Sequence, residues 1–208
     1  MGREVVGRGS WFNYGEYNPG GFRLDKNKLK NLRPDVFSFK QLMCSEKDSP
    51  YFIKDQMEHG VIQPTVVVST DPLLVACYSA DMDAVVLMCL PTMYGVYRGY
   101  EIGTRLLCVN VYDFLNKGRK NNDIFEGSHS SHRYSLYGPI VADLFTNDTQ
   151  RLTAIKTMIP DEVWDYVENL GNQYMAINPG MARNGLGNRF YDAVPIESIQ
   201  FNQRLKLD

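Results

Sequence analysis

Apolar residues recur along this chain in two rhythms. Short continuous runs fill the middle, and a three-and-four spacing marks the last third. Val61-Ile62 and Thr65 to Ser69 are β-branched and apolar, which predicts a buried strand. Asp83 to Leu90 predicts a second strand, ended by Pro91, and Arg105 to Tyr112 a third. Between the first two lies Ser69-Thr70-Asp71-Pro72. Ser, Thr and Asp are good helix caps and proline suits the first turn, so Leu73 to Tyr78 reads as a short helix.

The flanks read as helices and loops. Residues 26–59 predict short helices broken at Pro34 and Pro50. Tyr51 to His59 places Phe52, Ile53 and Met57 near one face, with Gly60 as its cap. Asp148 to Met158 carries Leu152, Ile155 and Met158 at helical spacing. Pro160-Asp161-Glu162 opens the strongest helix. Its acids sit at the positive end of the dipole, Val163, Trp164, Val167 and Leu170 form its stripe, and Gly171 is the expected stop. Tyr137 to Phe145 starts a further element, 178–189 reads as a glycine-rich loop, and Ala193 to Phe201 as a closing strand. Two stretches look irregular: a Gly/aromatic-rich arm over 1–25, and a long polar loop over 116–135. The expectation is a single compact domain over 1–208, α/β or α+β. Its mixed central sheet would use strands near 65–69, 83–90, 105–112 and 193–201, covered by helices near 51–59, 148–158 and 160–170.

Composition narrows the class. A chain of 208 residues buries roughly 70% of the surface its unfolded form exposes, so it needs no staples. A hydrophobic fraction of 44% and a charged fraction of 22% suit a soluble globular protein. The net charge of −2 argues against dedicated binding of duplex nucleic acid. No run approaches the roughly 20 apolar residues of a membrane helix, and the N-terminus has no apolar signal region. The four cysteines form no C-x-x-C pair, and Cys77, Cys89 and Cys108 sit in apolar segments. That usage fits a reducing compartment, and the expected location is cytoplasmic. The 13 tyrosines suit core edges, interfaces and ligand walls.

Candidate chemistry concentrates in Gly127-Ser128-His129-Ser130-Ser131-His132-Arg133-Tyr134, which holds two of the three histidines. Histidine titrates closest to neutrality, so His129 and His132 could exchange protons as acid and base. Tyr134 could orient an imidazole, and Arg133 could hold a phosphate or carboxylate. The plain alternative is a polar surface loop. Spacing i, i+3 would let both histidines reach one metal, but nothing selects a third ligand, so no metal is expected. Ser69 and Thr70, at a strand end and a presumed helix start, are candidate ligand contacts. So are Arg183 and Arg189, in a glycine-rich loop able to wrap a phosphate. Asp81-Met82-Asp83, two acids before a strand, could bind a cation or work as acid and base, and the plainer reading is a turn.

Three short islands carry a family resemblance. Arg8-Gly9, then Ser69-Thr70-Asp71 at a strand end, then Glu197, resemble the Arg…Ser-Thr-Ser…Glu order of mono-ADP-ribosyltransferases. The resemblance implies a nicotinamide cofactor held by arginine and serine, with Glu197 activating the acceptor. Asp71 stands where that pattern has serine, and Pro195 stands where its upstream acid belongs. The leading expectation is a small soluble enzyme or ligand binder for an anionic, phosphate-containing or nucleotide-like molecule. A non-catalytic interaction or assembly protein, possible as a homo-oligomer, is the other class.

Overall fold

The computed structural model describes residues 21–37, 49–113, 121–130, 134, 136–186 and 192–201. The central runs build one mixed sheet. Its strands are β1 (Val61–Thr70), β2 (Leu73–Ser79), β3 (Ala84–Leu90), β4 (Arg105–Asp113), β5 (Phe125–Glu126), β6 (Leu136–Val141), β7 (Met181–Asn184) and β8 (Val194–Pro195). The order is β6-β4-β1-β2-β3-β7-β8, and β5 shares the outer edge of β3. All pairs are antiparallel except β3 with β7. The expected mixed sheet is therefore present, in an α+β arrangement.

The helices are α1 (Lys26–Leu32), α2 (Pro50–His59), α3 (Thr92–Arg98), α4 (Ala142–Phe145), α5 (Thr149–Met158) and α6 (Asp161–Ile177). Local chemistry starts several of them. Asp25 accepts from the amides of Asn27 and Lys28, Ser49 from Phe52, and Asp148 from Arg151. Pro34 and Pro50 begin elements rather than merely breaking them, as proline at a first turn should.

The sheet curls. Paired residues in antiparallel strands share a face, so Thr65, Cys77, Val86 and Leu106 lie on one side. Tyr137 reaches across that concave side from the edge strand β6. Its hydroxyl donates to Cys77 O at 2.9 Å and lies 3.4 Å from Ala84 O. Arg183 on β7 donates to Tyr137 O at 2.7 Å, drawing the two ends of the sheet together. The convex side of β1–β3 carries α6, which buries Trp164, Val167, Leu170 and Tyr174. Burial of such apolar side chains stabilises by about 1.5–3 kcal/mol each.

Four expectations are corrected. Leu73 to Ser79 is a strand, not a helix. The six apolar residues Leu73 to Tyr78 are ambiguous in period, and here both edges are paired and both faces buried. Ser69-Thr70-Asp71-Pro72 is accordingly a hairpin: Thr70 pairs with Leu73, leaving a two-residue turn with a cis Asp71–Pro72 bond. Gly171 does not stop α6, which runs to Ile177 and is capped at Asn178 before Pro179. The glycine is there for approach, since a Cβ would come within 2.7 Å of Ala76 Cβ and 2.8 Å of Val68 Cγ1. The closing strand over 193–201 shrinks to Val194–Pro195 followed by a 3₁₀ turn. β3 pairs with β7 instead, inside the stretch expected to be a loop, and among the described residues Val194–Pro195 pairs only with β7.

Candidate functional site

The histidine loop docks on the turn between β2 and β3. That turn includes Asp83, whose backbone has φ of +46°, a left-handed conformation that Asp tolerates better than most residues. The twist turns its carboxylate inward, where the side chain is 1% exposed. Tyr78 from β2 donates to Oδ1 at 2.8 Å. Tyr166 from α6 donates to Oδ1 at 3.0 Å and Oδ2 at 3.1 Å. The backbone amide of His129 donates to Oδ2 at 2.7 Å. Asp83 thus joins strand, helix and loop through one carboxylate. A buried carboxylate needs such donors, because an unpaired polar group in the interior is costly.

Gly127 makes the docking possible. Its amide donates to Asp83 O at 2.6 Å. A Cβ there would meet Tyr166 Oη at 2.2 Å and Asp83 Oδ2 at 2.5 Å, so no side chain fits without displacing the loop. The other end of the stretch is held too. Tyr134 stacks on Tyr112 with ring centroids 4.6 Å apart, and Tyr112 in turn lies 6.2 Å from Tyr137. Tyr112 Oη sits 3.0 Å from Ser79 Oγ at the end of β2. The loop is therefore pinned at Gly127 and at Tyr134 to the same rim of the curled sheet.

Between these anchors, the His129 imidazole is 48% exposed. Its Nδ1 lies 2.9 Å from Ser128 Oγ and 3.7 Å from Asp83 Oδ2. A partly exposed imidazole with a hydroxyl and a buried carboxylate beside one nitrogen can accept or release a proton while keeping its orientation. Burial raises the pKa of Tyr166, and the nearby Asp83 charge adds to this, so its hydroxyl remains a donor.

The remaining predicted site residues are placed elsewhere or lie outside the described residues. His132, Arg133 and Arg189 belong to the latter group. Ser69 and Thr70 stand at the opposite end of the sheet from His129. The run from Leu74, which pairs with Ser69, to Ser79 separates them by roughly 17 Å along β2. Arg183 is not on a flexible loop. It is 1% exposed on β7, and its guanidinium forks onto Asp123 at 2.6 and 2.8 Å. Burial pulls its pKa down, but the hydrogen bonds and charge of Asp123 outweigh this and leave it above the ordinary value. Asp123 and Asn121 are themselves buried, so part of the polar stretch 116–135 is interior rather than surface. Glu197 sits in the exposed 3₁₀ turn after β8, at the far end of the sheet from Ser69 and four strand positions away. The arrangement implied by the ADP-ribosyltransferase resemblance is not assembled by those two residues, and Arg8 lies outside the described residues.

Sequence reading missed Asp83, Tyr78, Tyr166 and Gly127 as partners of the loop. The sequence offers Asp83 as a turn former or an acid/base group, with no signal that pairs it with the histidine loop. Once Leu73–Ser79 is a strand, Tyr78 and Asp83 flank a hairpin bend, a signal the helix reading hid. Among the described residues no group of three or more His, Cys, Asp or Glu is arranged to hold a metal ion. A cleft of about 650 Å³ lies elsewhere, lined in part by Arg23, Lys26, Lys54 and Asp148, and its charges are mixed in sign. The histidine loop does not line it.

The fold and site define an α+β protein with a tyrosine–carboxylate–histidine cluster at one rim of a curled sheet. Comparisons with protein-family models, curated proteins and solved structures returned no match. No described helix is long and apolar enough to cross a membrane.

Proposed function

We propose that this protein is a small enzyme or ligand binder that exchanges a proton with an anionic, phosphate-containing or nucleotide-like molecule at the His129 rim. The observation that carries this reading is the Asp83–Ser128–His129 contact. A loop imidazole that is half exposed is backed by a fully buried, multiply bonded carboxylate. Such backing costs desolvation, and with the Ser128 hydroxyl it gives the imidazole a fixed orientation. In this reading His129 transfers the proton, His132 is its acid/base partner, and Arg133 holds the anion. Tyr134 sets the loop by stacking on Tyr112. The cytoplasm is the proposed location, from the cysteine usage.

The test uses the full chain, a panel of nucleotides and phosphomonoesters, and ligand-induced thermal shift followed by turnover of any binder. His129→Ala with His132→Ala is expected to abolish the ligand response while leaving the melting temperature of the free protein within a few degrees. Arg133→Ala is expected to weaken binding of the same ligand. Full retention of the response in the double variant overturns the reading.

A further inference from the structure

The short helix α3 presents an apolar outer face. Met93, Val96 and Tyr97 stand at i, i+3 and i+4, and Ile102 follows after the turn at Gly99. Each is more than half exposed. They make up four of the ten large exposed hydrophobic side chains among the described residues, gathered within ten positions of sequence. A surface helix ordinarily turns charge outward. Here the inner face is already fixed. Tyr94 and Gly95 are buried, and a Cβ on Gly95 would sit 3.0 Å from the Leu73 side chain. The outer face is therefore held rigidly while its apolar side chains stay exposed, which is the usual signature of an interaction surface.

The rim says what kind of partner fits. Arg98 and Glu101, both exposed, border the patch, one of each sign. The Arg98 guanidinium lies over the rings of Tyr94 and Tyr97, at 5.3 and 5.6 Å from their centroids, which places the cation at the edge of the apolar face. In a two-fold interface a patch meets itself, so its cation needs an anion on the same patch. A rim of a single sign would repel its own copy. We infer that α3 and the 99–102 turn form a two-fold contact between two copies of this chain, with Arg98 of each copy facing Glu101 of the other. This inference is independent of the histidine rim.

The test is the molar mass of the full chain in solution, by sedimentation or light scattering across a micromolar concentration series. A monomer–dimer equilibrium is expected, and Val96→Glu should shift it to monomer with an unchanged melting temperature. Arg98→Glu and Glu101→Arg should each weaken association. Two symmetry-related exposed pairs would be lost in each case, about 2- to 30-fold in the dissociation constant. The double exchange Arg98→Glu with Glu101→Arg should restore association, since each new charge again meets its opposite. A wild-type chain that stays monomeric throughout overturns the proposal. So does a dimer indifferent to Val96→Glu, or a double exchange weaker than both single variants. The first outcome would direct the apolar face to a different protein.

Discussion

Replacing Arg183 by Met removes the cation from the most buried ion pair among the described residues. Arg183 and Asp123 have side chains 1% and 6% exposed, joined at 2.6 and 2.8 Å. The same guanidinium bonds Tyr137 O, and Asp123 also accepts from the Ala193 amide at 2.9 Å. Methionine matches the stem of arginine but leaves a buried carboxylate without its counter-ion, which costs about 3–5 kcal/mol. For a chain of this size each kcal/mol lowers the melting temperature by about 2–4 °C, so a fall of about 6–20 °C is expected. The assay is thermal and urea unfolding followed by circular dichroism. Arg183→Lys should fall between, because an ammonium cannot fork onto both carboxylate oxygens. The double variant Arg183→Met with Asp123→Leu should recover most of the loss, since a packed apolar pair avoids the desolvation of both charges. A cost below about 1 kcal/mol for Arg183→Met would refute the assignment of this pair as the clasp between β6 and β7.

Gly171→Leu should destabilise despite its better helix propensity. The side chain would have to displace Ala76 and Val68, and overpacking of this kind costs about 1–3 kcal/mol; an unchanged urea midpoint would refute the close approach of α6. Cys77, Cys89 and Cys108 are buried, and burial pushes the Cys89 thiol up to about 11 and raises Cys108 as well. These three thiols should stay unreactive toward a disulfide reagent at pH 8 until the protein unfolds, and rapid native labelling of any of them would contradict the packing. A thiol whose pKa is raised on folding supports the native state below its unfolded value near 9, and that support fades as pH climbs toward 11. Urea midpoints should therefore decline across pH 9–11, and a midpoint that rises over this range would count against burial of these groups.

Much of the fold was legible because burial and period coincide. Strands β1, β3 and β4 are β-branched, and α2, α5 and α6 carry caps and stripes that local chemistry can read. The histidine loop stood out because of its residue types alone. Strand β2 was not legible, because an apolar run buried on both faces has no period to choose between helix and strand. Nor was β7, whose Met-Ala-Arg-Asn owes its strand to pairing with β3 and to a distant Asp123.

The sequence by itself determined the fold class, three of the central strands, three of the helices and the stretch where the histidines are concentrated. These follow from local propensity, capping and composition, which act over a few residues. The tertiary structure alone decided that His129 faces Asp83, that Tyr78 and Tyr166 bind the same carboxylate, and that Arg183 is a buried clasp rather than a ligand contact on a loop. Each of these depends on residues some 40 to 90 positions apart meeting around a curled sheet. Only the register and curvature of the strands bring such pairs together, and no spacing along the chain encodes them.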